Sequence, residues 1–150
     1  MIARPLALLS ALSLAPLAMA QHADSLWSYS YQNGIGEYAA GEWDRPTGAA
    51  LLLSCRADGT IALGTQIKGK APPPGTALQL AASTREETRE SAFATDDTRR
   101  ATAAAQSAEV RALWTNLRWG DVVTLRYADG RSAVLSLAGA AKTLPATPCA

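Results

Sequence analysis

Alternating and continuous apolar segments along the chain predict mostly β-strands. The first segment, Leu26 to Gln32, places Trp27, Tyr29 and Tyr31 on one face and small polar residues on the other. This period of two is typical of a half-buried strand, and it favours the aromatic face as the one turned toward the core.

Two Asp-Gly pairs, each between two apolar segments, predict β-hairpins. Glycine tolerates the positive φ that tight hairpin turns require, so this dipeptide is a strong turn signal. The paired segments are Ala49–Arg56 with Ile61–Ile67 around Gly59, and Val122–Tyr127 with Arg131–Leu137 around Gly130.

Glycine and proline mark the loops. Residues 34–46 contain several glycines and a proline, which predicts a loop with room for a short edge segment at residues 37–42. Residues 68–76 include three consecutive prolines, which cannot donate backbone hydrogen bonds inside a sheet, so we expect a connecting loop there.

The middle of the chain combines a clear apolar segment with a charged segment that fits two structures. Leu78 to Ser83 predicts a strand, whereas the charged residues 85–100 fit either a strand or a helix. We favour an edge strand at Thr88 to Ala94 that runs through a turn at Thr95 to Thr98 as part of a hairpin.

One short helix is predicted at Ala108 to Leu117. Ser107 is suited to cap its first turn, and Gly120 follows its end. The apolar residues at helical spacing are Val110, Leu113, Trp114 and Leu117. About seven short strands and one helix predict an all-β fold, either a small antiparallel β-sandwich or a barrel.

The first 20 residues have the pattern of a secretory signal. Arg4 precedes an apolar run that ends in the small-residue site Ala18, Met19, Ala20. We therefore expect a signal peptide at residues 1–20 and a single β-rich exported domain at residues 21–150, periplasmic or secreted. No later segment is long and apolar enough to predict a transmembrane helix.

Charge argues against some partners. The whole chain has 14 basic and 13 acidic residues, and Arg4 is the only charged residue before Gln21, so the mature chain is balanced. Such a balance gives no electrostatic basis for binding nucleic acid.

Two cysteines, Cys55 and Cys149, remain in the mature chain. A disulfide between them is expected in an oxidising compartment, and it would tie down the C-terminal tail. Two unpaired thiols or an intermolecular bridge are the alternatives.

Residues suited to catalysis are sparse. His22 is the only histidine and lies at the start of the mature chain, so neither a catalytic triad nor a transition-metal site is indicated. The acidic residues between Glu86 and Asp97 alternate with arginines, which is typical of a solvated surface. We expect a protein that is not an enzyme and has no cofactor or metal.

Four tryptophans offer flat surfaces for binding. Trp27 and Trp114 occupy predicted core positions, and Trp119 is expected to pack beneath the last hairpin. Trp43 lies in the predicted loop among charged residues, so we expect it to be exposed and to be a possible contact residue.

Short motifs resemble those of small periplasmic β-sandwich proteins. Leu53, Ser54, Cys55 fits a Leu-x-Cys strand, and Ser136 to Gly139 fits a late Ser-Leu-x-Gly segment. With the predicted helix and last hairpin, these motifs are similar to those of invasion-associated locus B proteins and type VI secretion accessory proteins. The resemblance implies a non-catalytic exported domain that binds another exported or envelope protein.

An inhibitor of a hydrolase such as lysozyme or a protease is the alternative function. The chain is similar to periplasmic lysozyme inhibitors in its size, export and single bridge. It departs from their Ser-Gly-x-Arg-Tyr segment, because Leu125, Arg126, Tyr127 lacks the preceding serine and glycine. This function predicts a protruding rigid loop, for which residues 68–75 are the candidate.

The export signal makes a direct prediction. Protein expressed with its natural N-terminus should be cleaved after Ala20, because small residues precede that bond. Intact-mass spectrometry should then find a chain that begins at Gln21. Recovery of the chain with Met1 in a membrane fraction would contradict cleavage.

Overall fold

Two antiparallel β-sheets packed face to face form the body of the protein. A computed structural model describes residues 27–150. The predicted signal peptide at residues 1–20 and His22 lie outside the described residues.

Within residues 27–150 the chain forms nine strands and two helices. In chain order they are β1 (Ser28–Gln32), β2 (Ile35–Gly41), β3 (Ala49–Cys55), β4 (Thr60–Ile67), β5 (Ala77–Ser83), β6 (Thr88–Ala94), β7 (Ala101–Ala104), α1 (Ala108–Trp119), β8 (Val122–Tyr127), β9 (Ser132–Ser136) and α2 (Ala140–Thr143).

The strands divide into a five-stranded and a four-stranded sheet. The first sheet has the order β1-β2-β3-β4-β7, and the second has the order β6-β5-β8-β9. Every neighbouring pair is antiparallel, and both sheets keep two open edges. The predicted all-β sandwich is therefore confirmed, and the barrel alternative is excluded.

The core lies between the inner faces of the two sheets and beneath α1. Alternate residues of β3, β4, β5 and β8 point inward and are buried, as a pleated strand requires. The two sheets are also joined by a buried hydrogen bond, in which the Tyr127 hydroxyl donates to Thr65 Oγ1 over 2.8 Å. Burial raises the pKa of Tyr127, so this hydroxyl stays protonated at neutral pH.

Both predicted Asp-Gly hairpins are present, as β3-β4 and β8-β9. The loop predicted at residues 34–46 is wrong over most of its length, because β2 occupies Ile35–Gly41 and is an interior strand of the first sheet. Asn33 and Gly34 have φ angles of 53° and 77°. These values fit a two-residue hairpin turn, which reverses the chain directly after β1.

The charged segment around residues 85–100 forms a strand, as favoured. β6 is an edge strand and pairs with β5. The turn at Thr95 to Thr98 does not close a hairpin, however. It carries the chain from the second sheet to β7, which pairs with β4 in the first sheet.

Helix α1 begins as predicted. The Ser107 side chain accepts a hydrogen bond from the Val110 N–H, and the buried side chains of α1 include all four apolar residues of the predicted face. Neither helix in the described part of the chain has the length and apolarity that crossing a membrane requires.

The predicted disulfide is confirmed. Cys55, at the end of β3, is bonded to Cys149, and the two residues are 94 positions apart. Between β9 and Cys149 the tail forms the single-turn helix α2, and Leu144 just beyond it is buried. The bridge therefore fixes the tail to the first sheet.

Removing the bridge should destabilise the domain. Closing a loop of 94 residues limits the unfolded chain and contributes about 4 to 5 kcal/mol in the chain-entropy description. The double variant Cys55→Ser with Cys149→Ser should lose up to that much free energy of unfolding, measured with denaturant. Equal stability of the variant and the oxidised protein would contradict this account.

Acid should also destabilise the domain through its turns. The Thr60 side chain lowers the pKa of Asp58, and the Thr98 side chain lowers that of Asp96, chiefly by hydrogen bonds to the carboxylates. A pKa lowered by folding contributes stability above the usual aspartate value, and this stability is lost as pH falls through the folded pKa.

We therefore expect the midpoint temperature of thermal unfolding to decrease when the pH is lowered below about 4. The variant Asp58→Asn with Asp96→Asn should be less stable at pH 7 and should show a flatter decline. Parallel declines in the two proteins would show that these carboxylates do not cause the acid sensitivity.

Candidate functional site

The first sheet extends beyond the second and leaves β1 uncovered. Tyr29 and Tyr31 share the face of Tyr38, whose side chain is buried in the core. They are nevertheless 54% and 65% exposed. The expectation that both tyrosines pack into the core is wrong, because the second sheet is one strand narrower. We call Tyr29, Tyr31 and Tyr38 the tyrosine ledge.

The ledge is connected to the core through ring contacts. The Tyr29 and Tyr38 ring centroids lie 4.7 Å apart, and Tyr38 meets Trp114 edge-on at 5.4 Å. Tyr29 also lies across Gly36, where a Cβ atom would sit 3.4 Å from its ring. The exposed Tyr29 ring is therefore supported from below by the core.

A cleft runs between the ledge and the C-terminal tail. One part, of about 250 Å³, is lined by the tyrosines, Arg56 and the Cys55–Cys149 bridge. A second part, of about 490 Å³, is lined by Tyr29 and Tyr38 together with Lys142, Thr143 and Pro145. The tail thus forms one wall of the cleft, and the disulfide fixes that wall.

The ledge consists of tyrosine rings and their hydroxyl groups. Burial, and to a smaller extent the neighbouring Tyr29, raises the pKa of Tyr38. The surface therefore combines apolar ring faces with hydroxyl groups, which suits contact with another protein.

Trp43 lies on the opposite face of the first sheet. Its loop is fixed by Asp44, whose N–H donates to Gln66 Oε1 over 2.7 Å and whose Oδ1 accepts from Gln66 Nε2 over 3.0 Å. The Trp43 ring and the Arg100 guanidinium both lie over Gly64. Trp43 is half-buried and not fully exposed as expected, because glycine leaves room for its ring to pack.

The other tryptophans have structural contacts. Trp114 is buried, and Trp27 is partly buried and packs against the core, in line with their predicted positions. Trp119 is beneath the guanidinium of Arg89, which lies 4.1 Å from its ring centroid. Because Arg89 belongs to β6, this cation-π contact joins Trp119 to β6.

The proline loop at residues 68–76 does not protrude freely. Arg131 donates hydrogen bonds to the carbonyls of Lys70 and Ala71, and Thr76 Oγ1 donates to the carbonyl of Pro73. Pro72 is buried, whereas Pro74 and Gly75 are exposed. The loop is thus held against the domain, with only its tip exposed.

Three of the five acidic residues from Glu86 to Asp97 interact with neighbouring groups. Glu87 binds Arg89, Glu90 binds Arg126, and Asp96 caps its own turn. Within residues 27–150, no group of three or more potential metal-ligating residues is found. These pairs fit the predicted solvated surface.

Together these features define a disulfide-bridged antiparallel β-sandwich with an exposed aromatic ledge. Residues 25–144 match the model of the YfjT family, and the matched range includes every strand and helix from β1 to α2. The chain therefore belongs to the YfjT family. No curated protein and no solved structure matches it. The likeness to invasion-associated locus B and type VI secretion accessory proteins stays a prediction.

Proposed function

We propose that this protein is an exported, non-catalytic binding domain that contacts another exported or envelope protein through the tyrosine ledge. The observation that carries the proposal is the exposure of the neighbouring rings of Tyr29 and Tyr31, of which Tyr29 is supported by the core through Tyr38. Tyrosine supplies a large contact area with little loss of side-chain entropy, and it is enriched where interfaces are energetically important.

Location supports the same function. The intramolecular disulfide is typical of proteins outside the reducing cytosol. Together with the predicted signal peptide, it supports a periplasmic or secreted protein. The expected partner is therefore in the same compartment.

Replacing the ledge tyrosines should weaken binding without unfolding the domain. Purified protein would first capture partners from an envelope extract, and each captured protein would be identified and purified. The variant Tyr29→Ser with Tyr31→Ser should then bind it at least about tenfold more weakly, measured by calorimetry, because exposed aromatic anchors dominate many interfaces.

Two further variants make this result specific. Val134→Ser removes an exposed apolar side chain from the second sheet and should leave affinity unchanged. Trp43→Ala tests the other candidate contact. Loss of affinity in Trp43→Ala alone would place the binding surface on the opposite face and overturn the role of the ledge.

Inhibition of a hydrolase is the second candidate function. Its support is the exposed tip of the anchored proline loop, since rigid loops bind clefts with a small entropic cost. If the captured partner is a lysozyme or a protease, an activity assay with the added domain would test inhibition directly.

A further inference from the structure

β1 is an open edge of the first sheet with unusual exposure. All five of its residues are exposed, whereas each of the other three edge strands in residues 27–150 has at least one residue that is not. It also carries no charge and no proline, the features that commonly prevent edge strands from pairing. Such an edge favours pairing with another strand.

The register determines which backbone groups are available. The two-residue turn makes Gln32 and Ile35 a hydrogen-bonded pair, and hydrogen-bonded pairs alternate along an antiparallel ladder. Ser28, Ser30 and Gln32 therefore use their N–H and C=O groups toward β2. The same groups of Tyr29 and Tyr31 point away from the sheet and are open to a partner.

We propose that the partner at this edge is a second copy of β1, paired antiparallel about a two-fold axis at Ser30. In this register Tyr29 faces Tyr31 of the other copy, and each pair forms two backbone hydrogen bonds. The available groups match in phase, and the uncharged strand meets itself without repulsion. The match therefore requires no change in backbone conformation.

This arrangement deepens the proposed function and rests on it, because pairing would join two tyrosine ledges into one. Strand partners place their side chains on the same face, so the tyrosines of both copies would line one continuous ten-stranded sheet. A five-residue strand pair is small, so we expect weak, concentration-dependent association.

Charge reversal at the axis tests the arrangement. Ser30 would meet its own copy as a non-hydrogen-bonded pair, in which Cα atoms are about 4.5 Å apart. Ser30→Glu should weaken self-association about fivefold or more, because the two introduced glutamates would face each other across the axis. Each would also lie beside Glu37, which pairs with residue 30 in the first sheet. Ser30→Lys should weaken self-association less, because Glu37 offsets part of its charge.

The informative measurement is sedimentation of the full exported protein and its variants over a concentration series. An equal mixture of Ser30→Glu and Ser30→Lys should associate more strongly than either alone, which a folding defect cannot produce. Val134→Glu, at the centre of β9, which is another uncharged edge strand, is the matched control and should behave as the native protein.

Several results would overturn the proposal. The first is a native protein that stays monomeric at millimolar concentration. The second is a mixture of Ser30→Glu and Ser30→Lys that associates no more strongly than either variant alone. The third is loss of association in Val134→Glu alone. None of them bears on partner binding by the Tyr29→Ser with Tyr31→Ser variant, so the two proposals fail separately. Capture of a different protein's strand at β1 would likewise replace the second copy as occupant.

Discussion

The indole of Trp114 connects the parts of the molecule that define the candidate site. Its Nε1 donates a 2.8 Å hydrogen bond to the carbonyl of Pro145, and its ring meets Tyr38 edge-on. The buried nitrogen is therefore satisfied, and α1, the first sheet and the tail are brought together. Since Tyr38 in turn supports Tyr29, a continuous series of aromatic contacts runs from the core to the surface.

Local patterns predicted much of the fold. The Asp-Gly turns, the cap at Ser107 and the spacing along α1 depend on neighbouring residues, and all of them form as expected. The sequence pattern allowed only a short edge segment at residues 37–42, whereas β2 is longer and interior, although Asn33-Gly34 is itself a strong hairpin signal. The glycines at 36 and 41 masked it, because glycine weakens a strand pattern even where it makes room for a ring.

The site was less predictable than the fold. Alternation in β1 correctly placed Tyr29 and Tyr31 on one face of a strand, but burial of that face depends on the width of the opposite sheet. That width is set by β5, β6, β8 and β9, which are all distant from β1 in the sequence. Trp43 was misjudged for a similar reason, since Gly64 lies 21 positions away in sequence and only the fold brings them together.

The bridge between Cys55 and Cys149 links the structure of the cleft to the oxidation of two thiols. The tail that it tethers is one wall of the space beside the tyrosines. A newly made chain with reduced thiols lacks that covalent restraint, so its wall is held only by noncovalent packing. Completion of the proposed binding surface is thereby coupled to oxidation, and the same thiol reaction stabilises the fold.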